Sequence, residues 1–305
     1  MHEIAELNAE ISKFKKERNA VILAHNYQRP EVQDMGDFVG DSLGLAQEAT
    51  KTDADIIVLC GVSFMAETAK LLNMEKTVLI PAEKANCPMA EMVNGDDIAE
   101  LKREHPNSIV ISYVNTTAET KAFTDICCTS SNALKIVRSI DKDTTVIFTP
   151  DTNLGHYIKR ETGRENMVIW SGLCPTHHIL TADMVQKAKD TYPDAPVVVH
   201  PECKMEVIEL ADEVSSTGGM LKYAEATTEP IVLIGTERGM IYPLSKRNAK
   251  TKFIPLSEEM YCPTMKMGTL RNLRDSLKFM QFEVEVKLEY VEPARRSIER
   301  MLELS

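Results

Sequence analysis

A unit of about 87 residues recurs three times along this chain, and this repeat limits the folds that the chain can adopt. Cys-Pro dipeptides begin at Cys87, Cys174 and Cys262, so they lie 87 and 88 residues apart. Three apolar segments, VILAHNY, VISYVN and VVVHPE, end in polar residues that are spaced by 88 and 87 residues. A repeat of this length is too long for a solenoid unit and is typical of a duplicated domain.

Hydroxyl residues form a third series with the same spacing, at Ser42, Ser130 and Thr217. Each lies 17 residues after the polar end of an apolar segment and 44 or 45 residues before a Cys-Pro dipeptide. Because independent intervals recur together, we predict three copies of one domain, over residues 1–92, 93–180 and 181–266. A C-terminal tail over residues 267–305 is expected to pack back on these repeats.

Continuous apolar runs alternate with amphipathic helical patterns in each copy, as in IIVLCG, TVIFTP and IVLIGT. Such runs are typical of parallel strands that are buried on both faces. We therefore predict an α/β fold with three homologous αβα domains, each built on a parallel sheet. In the tail, the patterns predict a helix over TLRNLRDSLKFMQ, a strand over FEVEVKLEYVE and a helix over ARRSIERMLEL.

Polar residues follow the first apolar segment of each copy. They are His25 and Tyr27, Tyr113 and Asn115, and His200 and Glu202. In α/β sheets, ligands bind beyond the carboxyl ends of the strands. A pseudo-threefold arrangement of the copies would bring these strand ends and the cysteine loops to one central site.

The residues Ser42, Ser130 and Thr217 each fall where a helix is predicted to begin. Helix capping is the simplest role for one such residue. Three equivalent positions beside polar strand ends favour anion binding, because helix N-termini carry free N–H groups and the positive end of a dipole. The expected ligand is small and carries several negative groups.

The strand ends also carry candidates for acid–base chemistry. The histidines His25 and His200 titrate near neutrality when they are unperturbed. Tyr27 and Glu202 can pass a proton between them or to a substrate. We predict Tyr27, Glu202 and His200 as the catalytic residues.

Equivalent cysteines in three copies, Cys87, Cys174 and Cys262, predict three thiolates at one metal centre. Structural zinc sites usually have paired C-x-x-C ligands, which are missing here, although His177 and His178 beside Cys174 leave a Cys3His zinc site open. A [4Fe–4S] electron carrier normally uses four cysteines. Three would leave one iron open to act as a Lewis acid, which we favour, but the spacing does not distinguish iron from zinc.

Packing or surface roles are expected for most of the remaining cysteines and histidines: Cys60, Cys127, Cys128, His2, His105 and His156. Cys203 directly follows the polar end of VVVHPE, so both a packing role and a role at the metal centre stay open for it. Seven cysteines without an apolar export segment at the N-terminus favour reduced thiols and a cytoplasmic protein. The net charge of −11 argues against binding to nucleic acid or to an anionic membrane. No apolar run is long enough to cross a bilayer.

Several long motifs of this chain closely resemble the A-type quinolinate synthase family. They include AHNYQRPEVQDMGDFVGDS, YVNTTAETKAFTDICCTSSNA, PDTNLGHYI, GLCPTHH, SSTGGM and GTERGMIY. The resemblance runs in order from about residue 20 to the C-terminus. It implies that iminoaspartate (iminosuccinate) is condensed with dihydroxyacetone phosphate to quinolinate, phosphate and water, as in NAD biosynthesis.

The resemblance also implies one [4Fe–4S] cluster per chain, held by Cys87, Cys174 and Cys262. Its open iron assists the final dehydration, without net electron transfer. The implied substrate-binding residues are His25, Ser42, Tyr113, Asn115, Ser130, His200, Glu202 and Thr217. Tyr27 and Glu202 match the proton-transfer residues, and an upstream aspartate-oxidising enzyme supplies the iminoaspartate. Some members have a further C-x-x-C pair at the third cysteine loop, but EEMYCPTM has only Cys262. No thiol–disulfide switch is therefore predicted there.

Two other functions are compatible with the residues alone. One is an iron–sulfur hydro-lyase that acts on a small hydroxy-acid and needs no triose phosphate. The other is a zinc-stabilised binding protein, which would use the cysteines only for structure.

Overall fold

Three parallel sheets of four strands each form the framework of the protein, as a computed structural model shows for residues 2–305. The strands are β1 (Ala20–His25), β2 (Phe38–Gly40), β3 (Ile56–Cys60), β4 (Thr77–Leu79), β5 (Ile109–Tyr113), β6 (Ile126–Cys128), β7 (Val146–Thr149), β8 (Met167–Ile169), β9 (Val197–Val199), β10 (Glu213–Val214), β11 (Ile231–Gly235) and β12 (Lys252–Pro255). The sheet orders are β2-β1-β3-β4, β6-β5-β7-β8 and β10-β9-β11-β12, so one topology occurs three times. The predicted α/β class and parallel sheets are confirmed.

Helices connect most successive strands, and others precede β1 and follow β12. They are α1 (His2–Glu17), α2 (Pro30–Gln33), α3 (Ser42–Lys51), α4 (Ser63–Leu72), α5 (Gly95–Glu104), α6 (Ala118–Ala122), α7 (Ala133–Ser139), α8 (Thr152–Thr162), α9 (Pro175–His178), α10 (Ala182–Thr191), α11 (Met205–Ile208), α12 (Thr217–Ala226), α13 (Ile241–Arg247), α14 (Leu270–Phe279) and α15 (Leu288–Glu303). Short 3-10 turns cover Pro88–Glu91 and Arg238–Met240.

The central strands are buried on both faces, as their apolar runs predict. In β1, Leu23 packs into the main core, which extends through all three sheets. Its neighbours Ile22 and Ala24 point to the other face and pack with α1 and α14 through Leu7 and Leu277. Because side chains alternate along a strand, one continuous apolar run serves both layers.

A carboxylate just before the second strand of each sheet repeats one contact in all three copies. Asp37, Asp125 and Asp212 accept hydrogen bonds from the backbone N–H groups of Ile22, Val110 and Val197, at 2.9, 2.8 and 2.8 Å. These three aspartates are separated by 88 and 87 residues. The repeat therefore extends from the topology to individual side-chain contacts.

The Asp125→Asn variant should lose about 1–2 kcal/mol of unfolding free energy, because the charge-assisted bond to Val110 is weakened. It also loses the ion pair with Lys102 at 2.9 Å. Urea unfolding of the variant and the parent chain measures the difference. An unchanged midpoint would show that this contact does not stabilise the sheet.

The C-terminal tail differs from its prediction in one element. Both helices are present as α14 and α15, but the strand predicted over FEVEVKLEYVE is wrong. Only an isolated antiparallel bridge joins Leu79 to Glu283, because the chain enters α15 at Leu288 and leaves few residues for a strand. The second half of the segment starts α15, which packs on α6 and β6.

Candidate active site

One cavity lies where the central strands of the three sheets end. Together with its opening to solvent, it encloses about 640 Å³ of space. Every predicted site residue lines it: His25, Tyr27, Ser42, Cys87, Tyr113, Asn115, Ser130, Cys174, His200, Glu202, Thr217 and Cys262. The sheets thus bring together residues that are distant along the chain.

The three hydroxyl residues do not share one helical position. Ser42 and Thr217 are the first residues of α3 and α12, and the residues before them, Asp41 and Ser216, provide the caps. Ser130 is different from its prediction, because it lies in a turn three residues before α7 begins. The side chain of Asn132 turns back to accept the N–H of Thr129 at 2.6 Å, which keeps this turn outside the helix.

Beside the cavity, one residue from each copy takes part in a shared hydrogen-bonded contact. The Ser131 hydroxyl contacts the Asp41 carboxylate at 2.6 Å and the Ser216 hydroxyl at 2.8 Å. A Cβ atom at Gly218 would lie 2.7 Å from the same carboxylate, so a glycine is needed for this close approach. The hydrogen-bonded contact therefore depends on all three copies.

A continuous chain of hydrogen bonds crosses the cavity wall from Tyr27 to Glu202. The Tyr27 hydroxyl lies 2.5 Å from Thr236 Oγ1, which lies 2.8 Å from His177 Nε2. His177 Nδ1 is 2.7 Å from Glu202 Oε2. The two proton-transfer candidates, 175 positions apart, are thus connected through two other side chains.

The series of polar contacts continues from Glu202 to the second copy. His200 Nδ1 lies 3.4 Å from Glu202 Oε2, and its Nε2 lies 3.2 Å from the Ser130 hydroxyl. The other carboxylate oxygen of Glu202 is buried and has no hydrogen-bond partner among residues 2–305. The same is true of Asn115 Oδ1, so the cavity has two acceptors available to a ligand.

The sequence did not indicate that Thr236 and His177 connect Tyr27 to Glu202 through hydrogen bonds. Thr236 directly follows β11, a strand-end position that could have indicated it. His177 was considered only as a zinc ligand, although it lies on the turn that Cys174 begins. His178, the other zinc candidate, does not line the cavity and contacts Asn153.

Burial controls the protonation of the site. It raises the pKa of Tyr27 well above its ordinary value, and the nearby Glu202 carboxylate raises it further. Burial alone would raise the pKa of Glu202, but hydrogen bonds and charge from His177 and His200 hold it below the usual range. At neutral pH, the site therefore combines a protonated phenol with an ionised carboxylate.

Burial moves the pKa of both predicted strand-end histidines below its ordinary value. Burial lowers the pKa of His200, although Glu202 opposes this shift. It also lowers the pKa of His25 to about 4, with Asp41 acting in the opposite direction. His25 Nδ1 accepts the N–H of Tyr27 at 3.1 Å, which the protonated ring could not do.

Acid should destabilise the protein through His25. The pKa of this histidine is about 4 in the folded chain and 6.5 when unperturbed, so the unfolded state binds more protons between these values. The stability is complete above pH 6.5 and falls as the pH decreases towards 4. We expect His25 to account for about 2 kcal/mol of unfolding free energy lost between pH 7.5 and pH 5. Urea unfolding should show a smaller loss in His25→Gln; equal losses would contradict this assignment.

The cysteine loops place thiols at the start of helical turns. Cys87 and Cys174 precede Pro88 and Pro175, the first residues of a 3-10 turn and of α9. Burial raises the pKa of Cys87 to about 12, although the Ala90 backbone N–H opposes the shift. Burial and then Glu202 raise the pKa of Cys174 well above its ordinary value. Such thiols become thiolates when a metal displaces their protons.

A second possible ligand set overlaps the cysteine loops. Ligand atoms of Cys174, His177 and Glu202 lie within 4.8 Å of one another, close enough to hold a metal ion. Sulfur, imidazole and carboxylate are ligands for zinc or iron. The donor chemistry of this side of the cavity thus fits a metal centre.

Comparisons with known proteins agree with the motifs. The family described as "NadA: Quinolinate synthetase A protein" matches residues 9–303. A quinolinate synthase from Pyrococcus abyssi is 53% identical over 97% of this chain and 98% of its own length. One from Thermodesulfovibrio yellowstonii is 49% identical over 97% of both chains. The chain belongs to the quinolinate synthase family. The resemblance inferred from the motifs is confirmed.

Quinolinate synthase from Aquifex aeolicus is also similar, with 49% identity over 99% of this chain and 95% of its own length. Members of this family are enzymes of NAD biosynthesis, so the chain is an enzyme. All seven of its cysteines are free, and Cys60, Cys127, Cys128 and Cys203 are buried and do not line the cavity. Among residues 2–305, no helix combines the length and apolar character that a membrane span requires.

Proposed function

We propose that this enzyme condenses iminoaspartate with dihydroxyacetone phosphate to form quinolinate, phosphate and water. The observation that carries this proposal is the single cavity, which all predicted substrate, proton-transfer and cysteine residues line. We further propose that the copies over residues 1–92, 93–180 and 181–266 surround it with pseudo-threefold symmetry. The tail over residues 267–305 packs on them, and an upstream aspartate-oxidising enzyme supplies iminoaspartate in the cytoplasm.

Cys87, Cys174 and Cys262 would hold a [4Fe–4S] cluster in this proposal. The fit is supported by three thiols at one cavity and by the buried, unpartnered oxygen of Glu202. When bound, a cluster with three cysteine ligands has an open iron, which provides a Lewis acid for removal of a hydroxyl group.

Helix N-termini would hold the negative groups of the substrates. Ser42 and Thr217 present hydroxyls at the first turns of α3 and α12, which are each 10 residues long. Free N–H groups and the helix dipole favour phosphate or carboxylate there. The neutral imidazole of His25 and the amide of Asn115 add uncharged polar groups at the cavity wall.

Tyr27 and Glu202 would exchange protons with the substrates. Glu202 is the ionised base, and Tyr27 is a protonated acid, so each is in the form required to accept or donate a proton. The connection through Thr236 and His177 keeps both side chains in fixed orientations.

The Tyr27→Phe variant should slow quinolinate formation by roughly 10²- to 10⁴-fold, because the acidic hydroxyl is removed. Its iron and sulfide content should equal that of the parent enzyme. Tyr157→Phe is a matched control, because that tyrosine does not line the cavity. Turnover by Tyr27→Phe at the parent rate would show that Tyr27 is not a proton-transfer residue.

A mononuclear metal site at Cys174, His177 and Glu202 is the second candidate, favoured by the proximity of these ligand atoms. Such a mononuclear site would fit the alternative function of a zinc-stabilised binding protein. Metal and sulfide analysis of anaerobically purified enzyme separates the two, since a cluster contains about four irons and four sulfides.

The test of the proposed function measures quinolinate formation by the anaerobically purified enzyme. Dihydroxyacetone phosphate is supplied directly, and iminoaspartate is generated in the same vessel from aspartate by an aspartate dehydrogenase, with NAD⁺ as the oxidant. Quinolinate and phosphate should form together and only when both substrates are present. Dehydration of a hydroxy-acid without triose phosphate would instead support a hydro-lyase.

A further inference from the structure

The three cysteine loops share one backbone attachment. In each copy, a backbone N–H just after the third strand donates to the carbonyl of the residue two positions before the cysteine. The pairs are Ser63 to Ala85 at 2.8 Å, Thr152 to Gly172 at 2.7 Å and Arg238 to Met260 at 2.8 Å. This bond connects each cysteine loop to its own sheet.

In two copies, the residue before that donor adds a carboxylate. Asp151 Oδ2 accepts the backbone N–H of Cys174 at 3.0 Å. Glu237 Oε1 accepts the backbone N–H of Cys262 at 3.3 Å. Both side chains are fully buried, so these contacts form away from bulk water, where a hydrogen bond to a carboxylate is strong.

The second oxygen of each carboxylate is fixed by the adjacent helical turn. Asp151 Oδ1 accepts the N–H of Leu154 at 2.7 Å, and Glu237 Oε2 accepts the N–H of Gly239 at 2.8 Å. Lys266 also donates to Glu237 at 2.9 Å. Each carboxylate thus joins the turn that follows a central strand to the peptide unit of a cysteine.

The first copy has no carboxylate that accepts the N–H of its cysteine. The strand register aligns Ala24 with Cys60, Ser112 with Thr149 and Val199 with Gly235. Two positions beyond these strand residues, the first copy has Val62 where the others have Asp151 and Glu237. Among residues 2–305, no side chain accepts the Cys87 N–H. Asp151 and Glu237 are therefore not a requirement of the repeated fold itself.

We propose that Asp151 and Glu237 are positioning residues that fix the Cys174 and Cys262 peptide units for metal binding. A hydrogen bond to the cysteine N–H orients the Cα–Cβ bond and hence the sulfur. The proposal rests on the three-cysteine cluster that is proposed above. It assigns a function to two acidic residues that neither the repeat nor the proton-transfer chemistry requires.

The test measures iron release from anaerobic, cluster-loaded enzyme to an excess of a ferrous chelator. We expect Asp151→Asn and Glu237→Gln to release iron at least 10-fold faster than the parent, because an amide has only one acceptor oxygen for the two backbone N–H groups that each carboxyl group binds. The conservative variants Asp151→Glu and Glu237→Asp should restore part of the difference. Electron paramagnetic resonance of the reduced cluster should also change in the two amide variants.

Asp125→Asn and Asp212→Asn are matched controls from the same two copies. Each weakens a carboxylate bond to a sheet N–H, far along the chain from the cysteines. Thermal unfolding of all variants separates loss of fold from loss of positioning. Iron release at the parent rate, or equal acceleration in the controls, would overturn the proposal.

If Asp151→Asn does not fold, Glu237→Gln still tests the proposal, since it changes a different copy. A parent enzyme that binds no cluster would overturn the proposed cofactor and this inference together. A parent with four irons and unchanged variants would overturn only the positioning role.

Discussion

The Cys174→Ala variant should lose its iron and at least about 10³-fold of its quinolinate-forming activity. Cys174 lies in the cavity between the Asp151 carboxylate, which holds its N–H, and His177, whose Nδ1 is 3.2 Å from its sulfur. Removal of this thiol leaves two of the three proposed ligands, which is too few to hold a [4Fe–4S] cluster. Iron, sulfide and the visible absorption spectrum measure the loss after anaerobic purification.

Cys60→Ala is the control for that experiment. Cys60 is also buried, and burial raises its pKa to about 12, but it lies within β3 and does not line the cavity. Its removal should cost about 1–2 kcal/mol of stability and leave the iron content unchanged. A Cys174→Ala enzyme that still contained four irons would contradict the assignment of this cysteine as a ligand.

The second large effect is expected for Glu202→Gln, with quinolinate formation decreasing by roughly 10²- to 10⁴-fold. Glu202 Oε2 contacts the Nδ1 atoms of the stacked His177 and His200 rings, at 2.7 and 3.4 Å, and Oε1 is buried without a hydrogen-bond partner among residues 2–305. Glutamine keeps the shape but cannot act as the ionised base. The kcat of cluster-loaded enzyme at saturating substrates is the quantity to measure.

Glu206→Gln provides the matched control, because Glu206 is exposed and pairs only with Lys204 at the surface. The Glu202→Gln enzyme should retain its iron, which separates a proton-transfer defect from loss of the cluster. If its kcat matched that of Glu206→Gln, the assignment of Glu202 as a base would be wrong.

Much of the fold could be predicted because the repeat and the apolar runs are local signals. Each of the apolar runs ending at His25, Tyr113 and Val199 is a strand of a parallel sheet, as predicted. The strand in the tail was predicted wrongly because the alternation of polar and apolar residues did not reveal that α15 begins inside that segment, at Leu288. Likewise, a hydroxyl beside a predicted helix did not reveal that Ser130 belongs to the preceding turn.

The residues that line the cavity could be predicted from the sequence, but the hydrogen bonds between their side chains could not. Repeated intervals identified the cavity residues, because equivalent positions of one topology lie at equivalent places. They could not identify Thr236 and His177, since these residues have no equivalents in the other copies. The intervals of 88 and 87 residues also do not align Val62 with Asp151 and Glu237, and only the strand register shows that these positions are equivalent.

The repeat, the parallel strands and the family could all be inferred from the printed sequence, because each depends on residue patterns and spacings along the chain. The tertiary structure alone decided which groups touch. Tyr27 meets Thr236 across 209 positions, and Thr236 meets His177 across 59. Contacts of this kind depend on how the three sheets pack, and a shift of about 1 Å between sheets would break them.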